Sequence, residues 1–273
     1  MSKLLKMMAI ATTLLVASLH AESQTPKTLK ASISLKIDRP GGANGASVAW
    51  HPVQKKYYAA QAGNETFPME VFDEKGKMLS DDKLETMFDV RGFWYNPNTK
   101  TLQANGYDNN GWAEYKLNGK GIPTAVTKMD KEAGKPDAQS VGIYDPKNNV
   151  VYYLDFNSSS LERHVMKDGV SDTSIALHLG AKSKDEIKDP IPDDIKGNYN
   201  ENAIIYTGIA KSEIGVLNFN DKQIELYNIG TGLRTQILKL PSDAPVQASL
   251  NFSYSNGTYW LYDKTERIWH GYK

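Results

Sequence analysis

One pattern of residues recurs along the chain and constrains the fold more than any other feature. Its clearest form spans 46–64: an apolar stretch ending in Trp50-His-Pro, a polar turn, a second apolar stretch from Tyr57, and a loop ending at Asn64. It recurs over 90–108 around Tyr95-Asn-Pro, and over 140–157 around Tyr144-Asp-Pro. Two weaker copies surround Tyr206 and Tyr254. Each of the first three copies reads as strand, proline turn, strand, polar loop. The apolar stretches suit strands, and Asn or Asp before Pro favours a turn.

Aligned on the aromatic that ends each first strand, the copies are spaced by 45, 49, 62 and 48 residues. A period of roughly 40–50 with several short strands per unit is that of propeller blades. Third strands with Gly turns follow at 71–76, 113–119, 162–169 and 224–230, and fourth strands at 173–179 and 235–240. The segment 32–37 resembles those fourth strands, while the last unit, 250–273, has room for only three. The sequence therefore predicts an all-β, five-bladed β-propeller in which the N-terminal strand completes the last blade. Such closure removes two open sheet edges. A sixth blade would need about 45 more residues. The long spacing places an inserted loop at 180–200, with a short helix expected over 183–188, capped by Ser183 and with Glu186 at the capping-box position.

Composition narrows the function classes. The 273 residues carry no net charge and no cysteine, which argues against a nucleic-acid binder and against disulfides or thiol chemistry. Lys3 and Lys6 precede an apolar run from Met7 to Leu19, with Ala21 suited to cleavage. This reads as a secretory signal peptide over 1–21, followed by a disordered linker over 22–27 and one domain over 28–273. A secreted or periplasmic location follows, and the mature chain has no second apolar segment of spanning length.

In a propeller, the links between blades and the loops joining second to third strands share one face around the channel, where ligands commonly bind. At the starts of the first strands this places Asn44, Arg91, Gln139, Glu201, Asn202 and Gln247. In the second-to-third loops it places Asn64, Asn105, Tyr107, Asp108, Asp155, Asn157, Asn220 and Asp263. Amides, carboxylates and aromatic rings suit a small polyhydroxylated ligand, although Asn and Asp are also ordinary turn residues. Oxygen donors such as Asp89, Asp137, Asp155, Asn157 and Glu201 would suit calcium, with Asp155, Asn157 and Glu201 the leading metal candidates. Asp108, Asp155 and Glu201 are the carboxylates available to a glycosidase, and no spacing selects a pair. The histidines share no zinc-ligand spacing, and no nucleophile elbow or phosphate loop occurs. No cofactor is expected beyond calcium. Trp50, Trp94 and Trp260 are expected to pack between blades.

The run of strand, Asp/Asn-Pro turn, strand, Asn-rich loop and Val71-Phe-Asp-Glu-Lys-Gly76 resembles the repeats of secreted NHL-like and YVTN-like propellers over most of 28–273. That resemblance implies a binding scaffold, a gluconolactonase-type metal hydrolase or a sugar lyase, and it transfers no functional residue. The expectation is a binding protein for a small polar ligand or a protein partner. A calcium-assisted hydrolase or a carbohydrate-active enzyme on the same face is the alternative.

Overall fold

A computed structural model describes residues 26–129 and 134–273. The expected signal peptide, 1–21, and residues 22–25 of the expected linker lie outside them. Two strands precede the first blade, β1 (Lys27–Thr28) and β2 (Ala31–Lys36). Blade 1 comprises β3 (Asn44–His51), β4 (Lys56–Ala62) and β5 (Met69–Asp73). Blade 2 comprises β6 (Val90–Asn96), β7 (Thr101–Gly106), β8 (Trp112–Leu117) and β9 (Pro123–Lys128). Blade 3 comprises β10 (Ile143–Asp145), β11 (Val150–Asp155), β12 (Ser160–Val165) and β13 (Ser171–Ala176). Blade 4 comprises β14 (Tyr199–Tyr206), β15 (Ile214–Asn218), β16 (Gln223–Tyr227) and β17 (Arg234–Lys239). Blade 5 comprises β18 (Phe252–Ser255), β19 (Thr258–Asp263) and β20 (Ile268–Tyr272).

The five first strands adjoin one another in a ring around a central channel. They all run from what we term the upper face to the lower face. The turn below the first strands of blades 1, 2 and 3 follows from its sequence. The residue before proline accepts backbone N–H groups: Asn96 from Asn98 at 2.9 Å, Asp145 from Lys147 at 2.9 Å, and His51 Nδ1 from Gln54 at 3.3 Å. This is the local bond that makes Asn and Asp turn formers.

Closure occurs as the pattern predicts. β2 pairs antiparallel with β20, placing Leu35 opposite Trp269 and Lys36 opposite Ile268. Leu35 is fully buried in a cluster with Val48, Phe72, Trp260, Tyr262 and Trp269, so the closing strand contributes to a core shared by blades 5 and 1. The extra residues 27–28 pair parallel with β17 on the outer edge of blade 4. Lys27, at the end of the expected linker, is thus already in a strand, and one short segment fastens two neighbouring blades. Blade 1 has three strands; beyond its Gly76 turn the chain returns only as two isolated bridges, between Phe72 and Met78 and between Pro68 and Glu85. The sequence there, Lys77-Met-Leu-Ser-Asp-Asp-Lys83, lacks the alternation that an outer strand needs.

The expected helix in the insertion is different in the structure. Lys184–Glu186 forms only a 3-10 turn, and Ser183 makes no side-chain cap. Glu186 accepts the N–H of Lys182 at 2.9 Å instead. The α-helix, α1 (Asp193–Lys196), lies instead beyond Pro190 and Pro192.

The seam between blades 5 and 1 holds Glu70, which has no exposed surface. Its Oε1 accepts the Asp38 N–H at 3.1 Å, and its Oε2 has no hydrogen-bond partner. Burial, above all, pushes the Glu70 carboxyl up to about 7. A glutamate in the unfolded chain ionises near 4.5. Between those values the folded protein retains a proton that the unfolded chain releases, so stability falls as pH rises from about 4.5 to about 7 and levels off beyond. Glu70→Gln is expected to flatten that dependence. Urea midpoints at pH 5 and pH 8 check it; an unchanged difference between the two would mean that Glu70 is not its source.

Candidate functional site

At the upper face, every blade contributes to one continuous hydrogen-bonded girdle. Asp89 Oδ1 accepts the Gly63 N–H of blade 1 at 3.0 Å and Arg91 Nη1 at 2.5 Å. Arg91 Nε donates to Gln139 Oε1 at 2.6 Å, and the Gln139 N–H donates to Asp137 Oδ1 at 2.7 Å. Asn202 Nδ2 of blade 4 donates to the same oxygen at 3.4 Å, while Asn202 Oδ1 accepts the Ser249 hydroxyl. Asn251 Nδ2 donates to the Ser249 carbonyl and to Asn44 Oδ1, both at 3.0 Å, returning the girdle to blade 1. Arg91 is buried, and its guanidinium lies 4.6 Å from the centre of the Tyr107 ring. Beside it, Lys135 donates to the carbonyls of Gly106 at 2.6 Å and Ala138 at 3.0 Å. Burial, then the neighbouring Arg91, lowers the Lys135 ammonium to about 8.

Four of the residues expected to form a site, Asn44, Arg91, Gln139 and Asn202, therefore belong to one girdle, in which Arg91 bonds Gln139 directly and Asn44 and Asn202 bond through Asn251, Ser249 and Asp137. Tyr107 and Asp108 sit beside them, with the Asp108 N–H donating to Ala138 O at 3.0 Å. Asn105 is different from the expectation. It is fully buried, accepts the N–H groups of Gly92 at 2.8 Å and Gly142 at 2.7 Å, and donates to the carbonyls of Ser140 at 3.0 Å and Gly106 at 3.3 Å. All four bonding positions of its amide are committed, so it staples blade 2 to blade 3. The strands it joins are pressed together: a Cβ on Gly92 would lie 2.2 Å from Gly142 O.

The metal candidates are engaged locally or stand in solvent. Asp155 caps its own turn, accepting the N–H groups of Asn157 at 2.9 Å and Ser158 at 3.3 Å and the Ser158 hydroxyl at 2.6 Å. Asn157 is exposed, and its carbonyl accepts Lys196 Nζ from the insertion at 2.7 Å. Glu201 and Asn220 are exposed, and Gln247 presents its carbonyl to Asn200 Nδ2 at 3.0 Å. Among the described residues, three acid or histidine ligand atoms come within 4.8 Å of one another only at Asp263, Glu266 and His270. Asp263 there already caps its turn through the N–H groups of Thr265 and Glu266.

Next to the girdle lies a groove of about 460 Å³ between blades 1 and 2. Asn64, Glu65, Asp89, Asn110 and Lys128 supply its polar groups, and Met87, Phe88 and Val126 its apolar ones. Asn64 and Asp89 are positions that the repeat alignment brings to this face. Glu65, Asn110 and Lys128 were not singled out, because they belong to loop and strand ends outside the shared pattern. The lower mouth is a second concavity, of about 370 Å³, lined by the five alignment aromatics. A cavity of about 70 Å³ lies in the channel between the mouths.

Fold and site together define a five-bladed β-propeller with one polar and one aromatic channel mouth. No protein-family model matches the chain, so the likeness to NHL- and YVTN-type repeats rests on sequence pattern alone. No curated protein matches it either. Among solved structures, the glutaminyl cyclase of Myxococcus xanthus superposes with a TM-score of 0.55 and 8% identity, covering 91% of this chain and 98% of that one. A chain of a nidogen/laminin complex superposes with a TM-score of 0.42 and 9% identity, over 71% of this chain and 63% of that one. At such identities the likeness is one of fold. Among the described residues, no helix is long and apolar enough to cross a membrane.

Proposed function

We propose that this propeller is a binding protein that takes a small polyhydroxylated ligand, such as a sugar, in the groove between blades 1 and 2 at the upper face. The observation that carries this reading is the groove's mixed wall: amide, carboxylate and ammonium groups face an apolar surface supplied by Phe88, Met87 and Val126. Binding pockets typically combine a few placed polar groups with an apolar lining in a volume of roughly 300–1,000 Å³. The girdle supports the reading by fixing Asp89 from two sides before any ligand arrives. Action outside the cytoplasm is part of the proposal and rests on the leader-like pattern of 1–21.

A thermal-shift screen against a sugar panel, followed by calorimetry, tests this, because a ligand of the folded state raises its stability by mass action. A sugar that stabilises the protein should bind about fivefold more weakly to Asn110→Ala, which loses one hydrogen-bonding side chain. No response to any sugar, or a response that Asn110→Ala and Glu65→Gln leave intact, would remove the groove from consideration. Calcium and EDTA arms detect the metal-assisted alternative. A glutamine-terminated peptide in the same series tests the activity for which the fold neighbour is named; turnover of that peptide would replace the binding reading.

A further inference from the structure

The lower mouth of the channel is built from the last residues of the five first strands. Trp50, Tyr95, Tyr144, Tyr206 and Tyr254, one from each blade, give rings to the wall of its 370 Å³ bowl. Neighbouring rings hold most of them in place. Trp50 lies 4.5 Å from Tyr57, Tyr95 4.4 Å from His51, Tyr254 4.9 Å from Tyr259, and Tyr144 is stacked 6.1 Å from Trp94. All but Tyr144 keep part of their surface open. These rings are fixed in advance, so a ligand would not have to order them.

The electrostatics of the bowl are set by its uncharged aromatic lining and by one buried carboxylate behind it. No residue lining it carries a formal charge. His51, against Tyr95, is the nearest histidine, and burial holds it below the ordinary histidine range, hence neutral at pH 7. Behind the wall, between the lining residues Tyr144 and Pro146, the Asp145 carboxylate is buried at 1% exposure. It accepts the N–H groups of Lys147 at 2.9 Å and Asn148 at 3.3 Å and the Asn148 side chain at 2.6 Å. No ion pair involves Asp145 among the described residues. Burial first, and Asp145 with it, pushes the Tyr206 phenol up, so this ring is neutral over the physiological range and its hydroxyl is directed at the carboxylate.

The faces of aromatic rings are negative, and a negative charge behind them adds to the field in the bowl. The species that such a site prefers is a cation that loses little on leaving water. A primary ammonium would need several hydrogen-bond acceptors, and a sugar would need several polar partners. Outside the phenol hydroxyls the bowl offers mainly Thr207, Ser255 and Asn256. We propose that the lower mouth is an aromatic cage for a quaternary ammonium group of the choline type, a site separate from the upper groove and independent of what binds there.

Trp50 and Trp94 line the bowl, so intrinsic fluorescence or calorimetry can follow a titration of the protein with choline chloride. The control ligand is 3,3-dimethylbutan-1-ol, in which carbon replaces nitrogen and shape is kept while charge is lost. Choline is expected to bind at least about tenfold more tightly than this alcohol. Tyr206→Leu and Tyr254→Leu should each weaken choline binding several-fold, Tyr206→Phe should retain it, and Glu65→Gln in the upper groove should leave it unchanged. Equal or tighter binding of the neutral alcohol would overturn the proposal, as would the absence of saturable choline binding by the folded wild-type protein. That comparison of two ligands uses the wild type alone, so it stands even where a leucine variant fails to fold.

Discussion

Replacing Leu35 by alanine is expected to lower the unfolding free energy by about 2–5 kcal/mol, the usual cost of emptying a fully buried leucine site. For a chain of this size that corresponds to a fall of about 5–15 °C in Tm. The effect is large because Leu35 lies on the closing strand yet packs in a cluster drawn from blades 5 and 1. Ser34, its neighbour on the same strand, faces solvent, and Ser34→Ala should stay within about 0.5 kcal/mol of wild type. Denaturant unfolding of the pair decides the matter. If the two variants unfolded at the same midpoint, β2 would not be contributing a side chain to the core, and closure would rest on backbone pairing alone.

The second large effect is expected at Asn105. Asn105→Ala removes the acceptor for two buried N–H groups, at Gly92 and Gly142, and the donor to the Ser140 carbonyl. Each stranded buried group costs about 1–3 kcal/mol, so for these three groups a total loss of at least about 3 kcal/mol is expected. Asn105→Asp restores an acceptor but cannot donate, and it buries a charge. Burial would raise the carboxyl's pKa, so the deficit of this variant should shrink as pH falls and the group takes up a proton. Urea denaturation at two pH values measures both. A loss below about 1 kcal/mol for the alanine variant would show that blades 2 and 3 do not depend on this amide.

The signal of an aromatic followed by His51, Asn96 or Asp145 and then Pro made the architecture legible because it is the same physical device in three blades: a ring ending the first strand, and a side chain that catches the turn's N–H. The closing strand was legible for a related reason, since 32–37 carries the alternation of the other outer strands and had no unit of its own. Asn105 shows where legibility stops. An Asn before Gly at a strand end is what a turn requires, and also what an inter-blade staple requires; only the approach of Gly92 to Gly142 separates the two. Asp155 presents the same ambiguity between turn cap and metal ligand. The lower bowl was missed although its residues were the alignment markers themselves. Repeated aromatics read naturally as packing, and whether their rings also face an opening depends on channel width, which no local pattern encodes. The two-residue strand Lys27–Thr28 is too short to leave a periodic trace.

Lys30 and Lys273 exchange both of their backbone hydrogen bonds, at 2.8 and 2.9 Å. During synthesis this imposes a timetable. Strand β2 must wait for β20, more than 230 residues further along the chain, to leave the ribosome before it meets its partner. Four blades can assemble in order from neighbouring segments, but the pairing of β2 with β20 spans almost all of the described residues and carries the largest loop-closure entropy. Until then, that early segment remains available to whatever machinery handles a nascent chain.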